Sequence, residues 1–408
     1  MRHDTVWRMG IALLLLSACA VAQVEEAKAD YAADLDAYIE HIDGHYPFFG
    51  LKNNRREWDA YKERAREEVK DCGGDTAFLA LINASFETLH DGHMGVRETR
   101  AERPPWPKRY YPGISFWPGP KGEVIVVYGG PKYGDSFPPG RVIVSIDGKP
   151  APEYMASRCA EAWKTGTQSS PQRTSLFEYR MPLRGEQGET HELGIEDTTP
   201  DGTVVPSTIK VTCDVEARGW PHTYNMPEGL QRVGRSFHCT KLDGGAGYAY
   251  LRRVDGSETV GLKQALDELD DAKGWIIDLR GNGGGGYSGE LLDVVKSMPR
   301  PVAVLIDAGC MSAGETLARD FRKLAGARLF GTRTAGCSSS KGSWTFPSGI
   351  ATVMMSTRSR WRGDGEPIEY NGIEPDEEVH PTPEDVAARR NTEIVRAEAW
   401  LKEVASSP

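Results

Sequence analysis

Ser312 follows an apolar run, Val302 to Ile306, and heads the stretch Ser312-Ala-Gly-Glu315. A hydroxyl where a strand turns into a helix can attack a carbonyl, and the first helical N–H groups lie beside it to hold an oxyanion. The same four residues match a capping box, in which serine bonds the third helical N–H and glutamate reaches back. Taken alone, such a match is far more often a cap than a nucleophile. Its company includes Gly274-Trp-Ile-Ile-Asp-Leu-Arg-Gly-Asn-Gly-Gly-Gly-Gly286, a buried-strand pattern running into a loop whose backbone N–H groups can approach an acyl group closely. The glycines also match the dinucleotide fingerprint, with Asp307 ending the next strand. That rival reading leaves Ser312 and the Asp278-Leu-Arg280 segment without a role. A base for the hydroxyl is offered by His93, projected from the Asp91-Gly92 turn at the end of a helical run. Glu369, in an acidic stretch with Glu366, Glu374 and Asp376, is a carboxylate that could orient it. His90 and His93 with Asp91 also resemble part of a metal site, but two ligands with no second cluster do not make one.

These residues need a scaffold to bring them together. The chain has 408 residues, 39% hydrophobic and 26% charged, which predicts two or three folded domains. A net charge of −10 disfavours nucleic acid as the main partner. Arg2 and Arg8 flank a short charged start, and Met9 to Leu16 is an apolar run too short to span a bilayer. The run ends in Leu16-Ser17-Ala18-Cys19, similar to a bacterial lipobox whose cysteine is acylated, and Ala20-Val21-Ala22 offers an ordinary signal-peptidase site. The sequence thus predicts an exported protein, with residues 1–22 removed as a signal peptide or Cys19 held to the membrane by lipid. Setting Cys19 aside leaves Cys72, Cys159, Cys213, Cys239, Cys310 and Cys337, enough for up to three disulfides in fifteen connectivities.

Residues 23–100 read as a helical N-terminal domain, with Tyr31, Leu35, Tyr38, Ile39 and Ile42 at helical spacing. Residues 101–215 read as a β-rich module, through runs such as Glu123 to Tyr128 and Arg141 to Ile146. Residues 216–385 alternate strand and helix, which predicts a layered α/β core with parallel strands. Residues 386–408 read as an amphipathic surface helix.

Together the Asp-Gly-His turn, Asp278-Leu-Arg-Gly-Asn-Gly-Gly-Gly285, Ser312-Ala-Gly-Glu315, Gly331-Thr-Arg-Thr-Ala-Gly336 and Gly372-Ile-Glu-Pro-Asp376 resemble the tail-specific (C-terminal processing) and tricorn-core family of serine peptidases, in that family's order. The resemblance implies a crotonase-like α/β core, with a helical N-terminal region and a PDZ-like module over residues 101–215. The tail-specific branch has a catalytic lysine directly after the Thr-x-Gly turn, where this chain has Cys337; Lys341 follows four residues later. The resemblance therefore falls on the tricorn-like branch, which uses histidine. It implies Ser312 as nucleophile, His93 as general base and Glu369 as the residue orienting His93. The oxyanion hole would be the N–H of Ala313 with that of Gly283 or Gly284. Some tricorn-type members carry serine where this chain has Gly92. With the lysine absent, Cys310 and Cys337, which flank the nucleophile turn and the next loop, are expected to pair as a disulfide. No metal or organic cofactor is required, and the partner is a polypeptide substrate. The sequence leaves cleavage specificity and oligomeric state open. It also leaves two competing functions: a catalytically silent relative that binds peptides as a scaffold, and a dinucleotide-binding oxidoreductase.

Overall fold

Leu35, Tyr38, Ile39 and Ile42 recur at helical spacing and are buried along one face of α1 (Tyr31–His45), which Asp30 caps by accepting the Ala33 N–H at 3.0 Å. Helices α2 (Arg55–Glu68) and α3 (Asp75–Leu89) pack on that face through Trp58, Tyr61, Phe78 and Ile82. His90 ends α3 in the left-handed region (φ 46°), turning the chain sharply into the Asp91–Met94 turn and β1 (Gly95–Thr99). The computed structural model describes residues 30–406, apart from 101, 105–107, 200 and 219–223. The export segment and Cys19 lie outside the described residues.

Among the described residues the middle module has three small antiparallel sheets. One joins Ser115–Pro118, Val124–Tyr128 and Val142–Ile143, a second joins Lys149–Pro150, Ser145–Ile146, Thr190–Thr198 and Val204–Thr212, and a third pairs Tyr110–Tyr111 with Val215–Glu216. It also contains two helices that the β-rich reading missed, Ala151–Thr165 and Pro171–Arg180. Their starts carry a signal for this: proline in the first turn of each, and Ser170 capping the second by accepting the Arg173 N–H at 3.2 Å.

The third layer alternates strand and helix: β2 (Phe237–Lys241), β3 (Gly247–Leu251), α4 (Ser257–Glu268), β4 (Trp275–Asp278), α5 (Gly289–Ser297), β5 (Val302–Ile306), α6 (Ala313–Asp320) and β6 (Arg328–Gly331). These strands lie in a seven-stranded sheet, edged by Gln231–Val233 and Glu377–Glu378. β3, β4, β5 and β6 run parallel and adjacent, and β2 is antiparallel to β3. Every residue of β3, β4 and β5 is buried, as expected for parallel strands covered on both faces. Leu262, Leu291, Val295, Leu317 and Phe321 cover one face. The other is covered by α7 (Thr392–Ser406), whose Ile394, Ala397 and Leu401 pack with Tyr248, Ile276 and Leu305. The terminal helix is thus a layer of the core. Lys402 and Glu403 are exposed while Glu393 is buried, and this mixture of charges along a narrow apolar stripe is why the sequence reads as surface.

Two further strands, Ser339–Thr345 and Ala351–Ser359, form an antiparallel sheet with β1, where Gly95 pairs with Met354 and Val96 with Val353. Phe346, Ile350, Val353 and Met355 join the apolar cluster of α1–α3. This hairpin carries the α/β layer's chain across to the helical domain, and the turn bearing His93 lies at the junction.

Candidate active site

Ser312 stands at the N-cap of α6 with φ 57° and ψ −122°, a conformation that glycine adopts freely and a serine does not. The strain is held by bonds on both sides. Its N–H donates to Cys337 O at 2.8 Å and to Glu315 Oε2 at 3.2 Å, and Met311 N–H donates to Asn282 O at 2.9 Å. Glu315 is fully buried and clamps the next loop, accepting from Thr334 Oγ1 (2.6 Å), Gly336 N (2.7 Å) and Cys337 N (3.0 Å). Burial pushes its carboxyl up to about 8, against the pull of Thr334, Gly336 and Cys337. Ser312 is therefore held by the cap in its backbone, and its side chain remains half-exposed.

The glycine loop leaves β4 and passes directly under this turn. A Cβ at Gly284 (φ +72°) would stand 2.6 Å from Ser312 Cβ and 3.0 Å from Ala313 N, so only glycine lets the loop approach. Gly283 N–H donates to Arg252 O at 3.1 Å and Gly284 N–H to Asn282 Oδ1 at 2.9 Å. Ala313 N–H has no acceptor among the described residues. Asp278 and Arg280 serve the frame: the guanidinium bonds both Asp278 oxygens and reaches Glu393 at 3.0 Å, all buried. Asp307, which the dinucleotide reading would assign to a ribose, instead accepts Gly281 N–H (2.8 Å), Gly309 N–H (2.9 Å) and the Tyr224 hydroxyl.

His93 is buried, and its N–H donates to Asp91 Oδ1 at 3.0 Å, which sets the turn. Its Nδ1 lies 3.3 Å from Ser339 Oγ and 3.6 Å from Cys337 Sγ, while Nε2 has no partner among the described residues. Burial lowers its proton affinity to about pKa 4; Asp91 opposes this, and the charges of Lys341, Lys52 and Arg97 add to it. The imidazole is neutral at ordinary pH, as a base must be. No hydrogen bond joins His93 to Ser312 among the described residues. They are linked by one strap, residues 337–339, which takes the Ser312 N–H on Cys337 O, returns Ser338 Oγ to Ser312 O at 3.2 Å, and faces His93 with Cys337 and Ser339.

Glu369 is fully buried but makes no hydrogen bond to His93 among the described residues. Its Oε1 pairs with Lys52 Nζ at 2.8 Å and its Oε2 accepts Ser338 N–H at 2.9 Å. Burial pushes its carboxyl up to about 7, with Lys52 opposing. The expected direct contact is thus replaced by one at a remove, because Cys337 and Ser339 occupy Nδ1. Sequence reasoning missed Lys52, Ser169, Cys337 as a thiol contact, and Ser339. Only Cys337 carried a signal, as a departure from the lysine position.

The disulfide expectation is not met. All six cysteines from Cys72 to Cys337 are free thiols. Cys310 packs in the apolar cluster under the sheet and Cys337 turns its sulfur to His93, so the two serve different neighbours. His90 is likewise structural: its ring stacks on Trp163 at 4.2 Å and Nδ1 meets Gly166 O at 3.0 Å. Among the described residues no group of three His, Cys, Asp or Glu side chains could hold a metal ion.

Asp91, Gly92 and Met94 form one wall of a cleft of about 250 Å³ that Leu79, Phe86 and Val96 line with apolar surface. Comparison with known proteins gives these residues a context. Residues 245–298 and 287–379, which hold the glycine loop, the Ser312 turn, the strap and Glu369, match the model of peptidase family S41. Curated proteins give no sequence match. Among solved structures, mature CPAF complexed with lactacystin is 14% identical, with 92% of this chain and 98% of that one covered at a TM-score of 0.59. A protein from Parabacteroides merdae is 18% identical, with 92% and 97% covered at a TM-score of 0.54. At these identities the likeness is one of fold.

Proposed function

We propose that the chain is a serine-type peptidase of family S41, and that it cleaves polypeptides through an acyl-enzyme on Ser312, with His93 as general base. The observation that carries the reading is the strap 337–339, which grips the strained Ser312 turn from one side and faces the neutral imidazole of His93 from the other. Ser312 Oγ attacks the carbonyl carbon while Nε2, buried and without a partner among the described residues, takes its proton. The hydrogen bond between them forms when a substrate fills the site, since catalytic hydrogen bonds are often completed only in the substrate complex. The oxyanion is received by Ala313 N–H at the start of α6, where the helix dipole favours negative charge. Gly284, against Ser312, or its neighbour Gly283 supplies the second donor by exchanging its present loop acceptor for the oxyanion. His93 then returns its proton to the leaving amine, and water releases the acyl group.

By the same resemblance the sheet and its two helical faces form a crotonase-like core, and the strands around Ile143–Ile146 belong to a PDZ-like module. The cleft beside Gly92, lined by Leu79, Phe86 and Val96 together with Asn83, Arg97 and Arg103, suits a substrate segment of mixed polarity. Export, and a lipid anchor at Cys19, rest on the N-terminal sequence.

A fluorophosphonate probe tests the reading. Mass spectrometry of the labelled full chain should place the adduct on Ser312, and Ser312→Ala and His93→Ala should both lose it. A well-folded wild-type protein without adduct would favour a silent peptide-binding relative. An adduct that survives His93→Ala would remove histidine as the base.

A further inference from the structure

The imidazole Nδ1 is the place where a serine peptidase commonly holds its histidine by a carboxylate. In this chain the contacts there are a thiol and a hydroxyl, and the carboxylate stands one residue further back. Ser169 is fully buried between the two layers, and its Oγ accepts the Gly92 N–H at 3.0 Å. Burial raises both the Glu369 carboxyl and the Cys337 thiol, and the same hydroxyl opposes that rise in each. Cys337 Sγ in turn lies 3.6 Å from His93 Nδ1. A Cβ at Gly92 would stand 3.1 Å from Cys337 Sγ and 3.5 Å from Ser169 Oγ, so the thiol and hydroxyl fill the space that a side chain at position 92 would take.

We propose that Cys337 is a positioning residue for His93, and that Ser169 and Cys337 together transmit the hold of Glu369 to the imidazole. The inference rests on the reading of His93 as general base. One assignment of protons satisfies every group. Ser169 O–H donates to Glu369, Cys337 S–H donates to Ser169 Oγ, and His93 Nδ1–H donates to Cys337 Sγ, with Ser339 Oγ as a second acceptor at 3.3 Å. That direction places the ring proton on Nδ1 and leaves the Nε2 lone pair free for the Ser312 hydroxyl. Burial, with Glu369 and Asp91 nearby, pushes the Cys337 thiol well above its ordinary value, so the sulfur keeps the proton it donates. Lys52 holds the far end by pairing with Glu369 at 2.8 Å.

The charged groups that bear on His93 are Asp91 in its own turn, Lys52 from the helical domain, Arg97 on β1 and Lys341 on the strap's strand. None of them is altered by substitutions at 337 or 169, so a change in His93 reports the relay. The test uses the full chain with a fluorophosphonate probe, and nitrogen-15 NMR of the His93 ring to read which nitrogen carries the proton. Wild type should show the proton on Nδ1. Cys337→Ala should label about tenfold more slowly, part of the 10²–10⁴ that a general base supplies, with the ring proton divided between the nitrogens. Cys337→Ser, which can accept and donate at the same place, should restore labelling to within about threefold. Ser169→Ala should slow labelling by about threefold or more and carries the test if Cys337→Ala does not fold. Wild-type labelling and an unchanged Nδ1 proton in folded Cys337→Ala, or in folded Ser169→Ala, would overturn the proposal while loss of labelling in His93→Ala left the base in place. Labelling that persists in His93→Ala would overturn the base, and the relay with it.

Discussion

Lys52→Met removes one half of an ion pair in which neither side chain is exposed to solvent. Two losses follow, and pH separates them. The first is independent of charge on Glu369: Lys52 Nζ also donates to His90 O at 2.6 Å and to Tyr46 Oη at 3.3 Å, and these buried acceptors lose their donor, at about 1–3 kcal/mol. The second is electrostatic. Glu369 has its folded pKa raised, by burial first, to about 7 from 4.5 even with Lys52 present. A raised pKa contributes stability that is fully present below the unfolded value and is lost as pH rises through the folded value. In wild type that loss ends near pH 7, because Lys52 then receives the carboxylate. Without Lys52 the folded protein keeps the proton to higher pH, and the loss continues at about 1.4 kcal/mol per pH unit. The difference between wild type and variant should be constant near pH 6 and grow by almost 3 kcal/mol, roughly, by pH 9. The total then agrees with the ~3–5 kcal/mol found when one partner of a buried pair is removed. Denaturant unfolding at pH 6, 7, 8 and 9, for Lys52→Met, Glu369→Gln and the double variant, measures it. In the Glu369→Gln background the pH-dependent part should vanish. A penalty for Lys52→Met that is the same at pH 6 and pH 9, or that grows with pH in the Gln background, would refute the reasoning.

Three further outcomes are expected. Gly284→Ala places a Cβ 2.6 Å from Ser312 Cβ at φ +72°, and should slow probe labelling at least about tenfold, whereas a Cβ at Gly283 meets nothing within 4 Å and should leave the rate within about threefold; equal rates in the two variants would show that the loop does not constrain the serine. The labelling rate should stay level from pH 8 down to about 5.5 and halve near pH 4, since the depressed His93 is neutral until then; a midpoint near 6.5 would mean that its burial is relieved in solution. Ser312→Gly should unfold at a stability about 1 kcal/mol above Ser312→Ala, because only glycine relaxes at φ 57°, ψ −122°, and both should be inactive. If the alanine variant is the more stable, the strain is not present.

What the sequence makes legible here is what the backbone demands locally. Trp275 to Asp278 reads as a buried strand because every position is covered, and glycine is required at 284 after it, where an added Cβ would stand 2.6 Å from Ser312 Cβ. The Ser312–Glu315 box is equally local, and its glutamate does hold the serine N–H. The contacts that govern His93 are different in kind. Lys52 sits in Leu51-Lys52-Asn53-Asn54, a stretch with no mark of burial, and its partner Glu369 is 317 positions away. Ser169 comes from a connection between two helices that the β-rich texture of residues 101–215 concealed. Cys310 and Cys337 flank the nucleophile as a disulfide pair would, yet whether two such sulfurs meet depends on the direction each Cβ takes, which spacing does not encode. Cys310 points into the apolar layer and Cys337 out of it. A carboxylate placed directly on Nδ1 would need that same space. The thiol at 337, the absent side chain at 92 and the recessed Glu369 are therefore one arrangement, and restoring a side chain at 92 should displace Cys337 before it displaces Glu369, which Lys52 and the Ser338 N–H hold from behind.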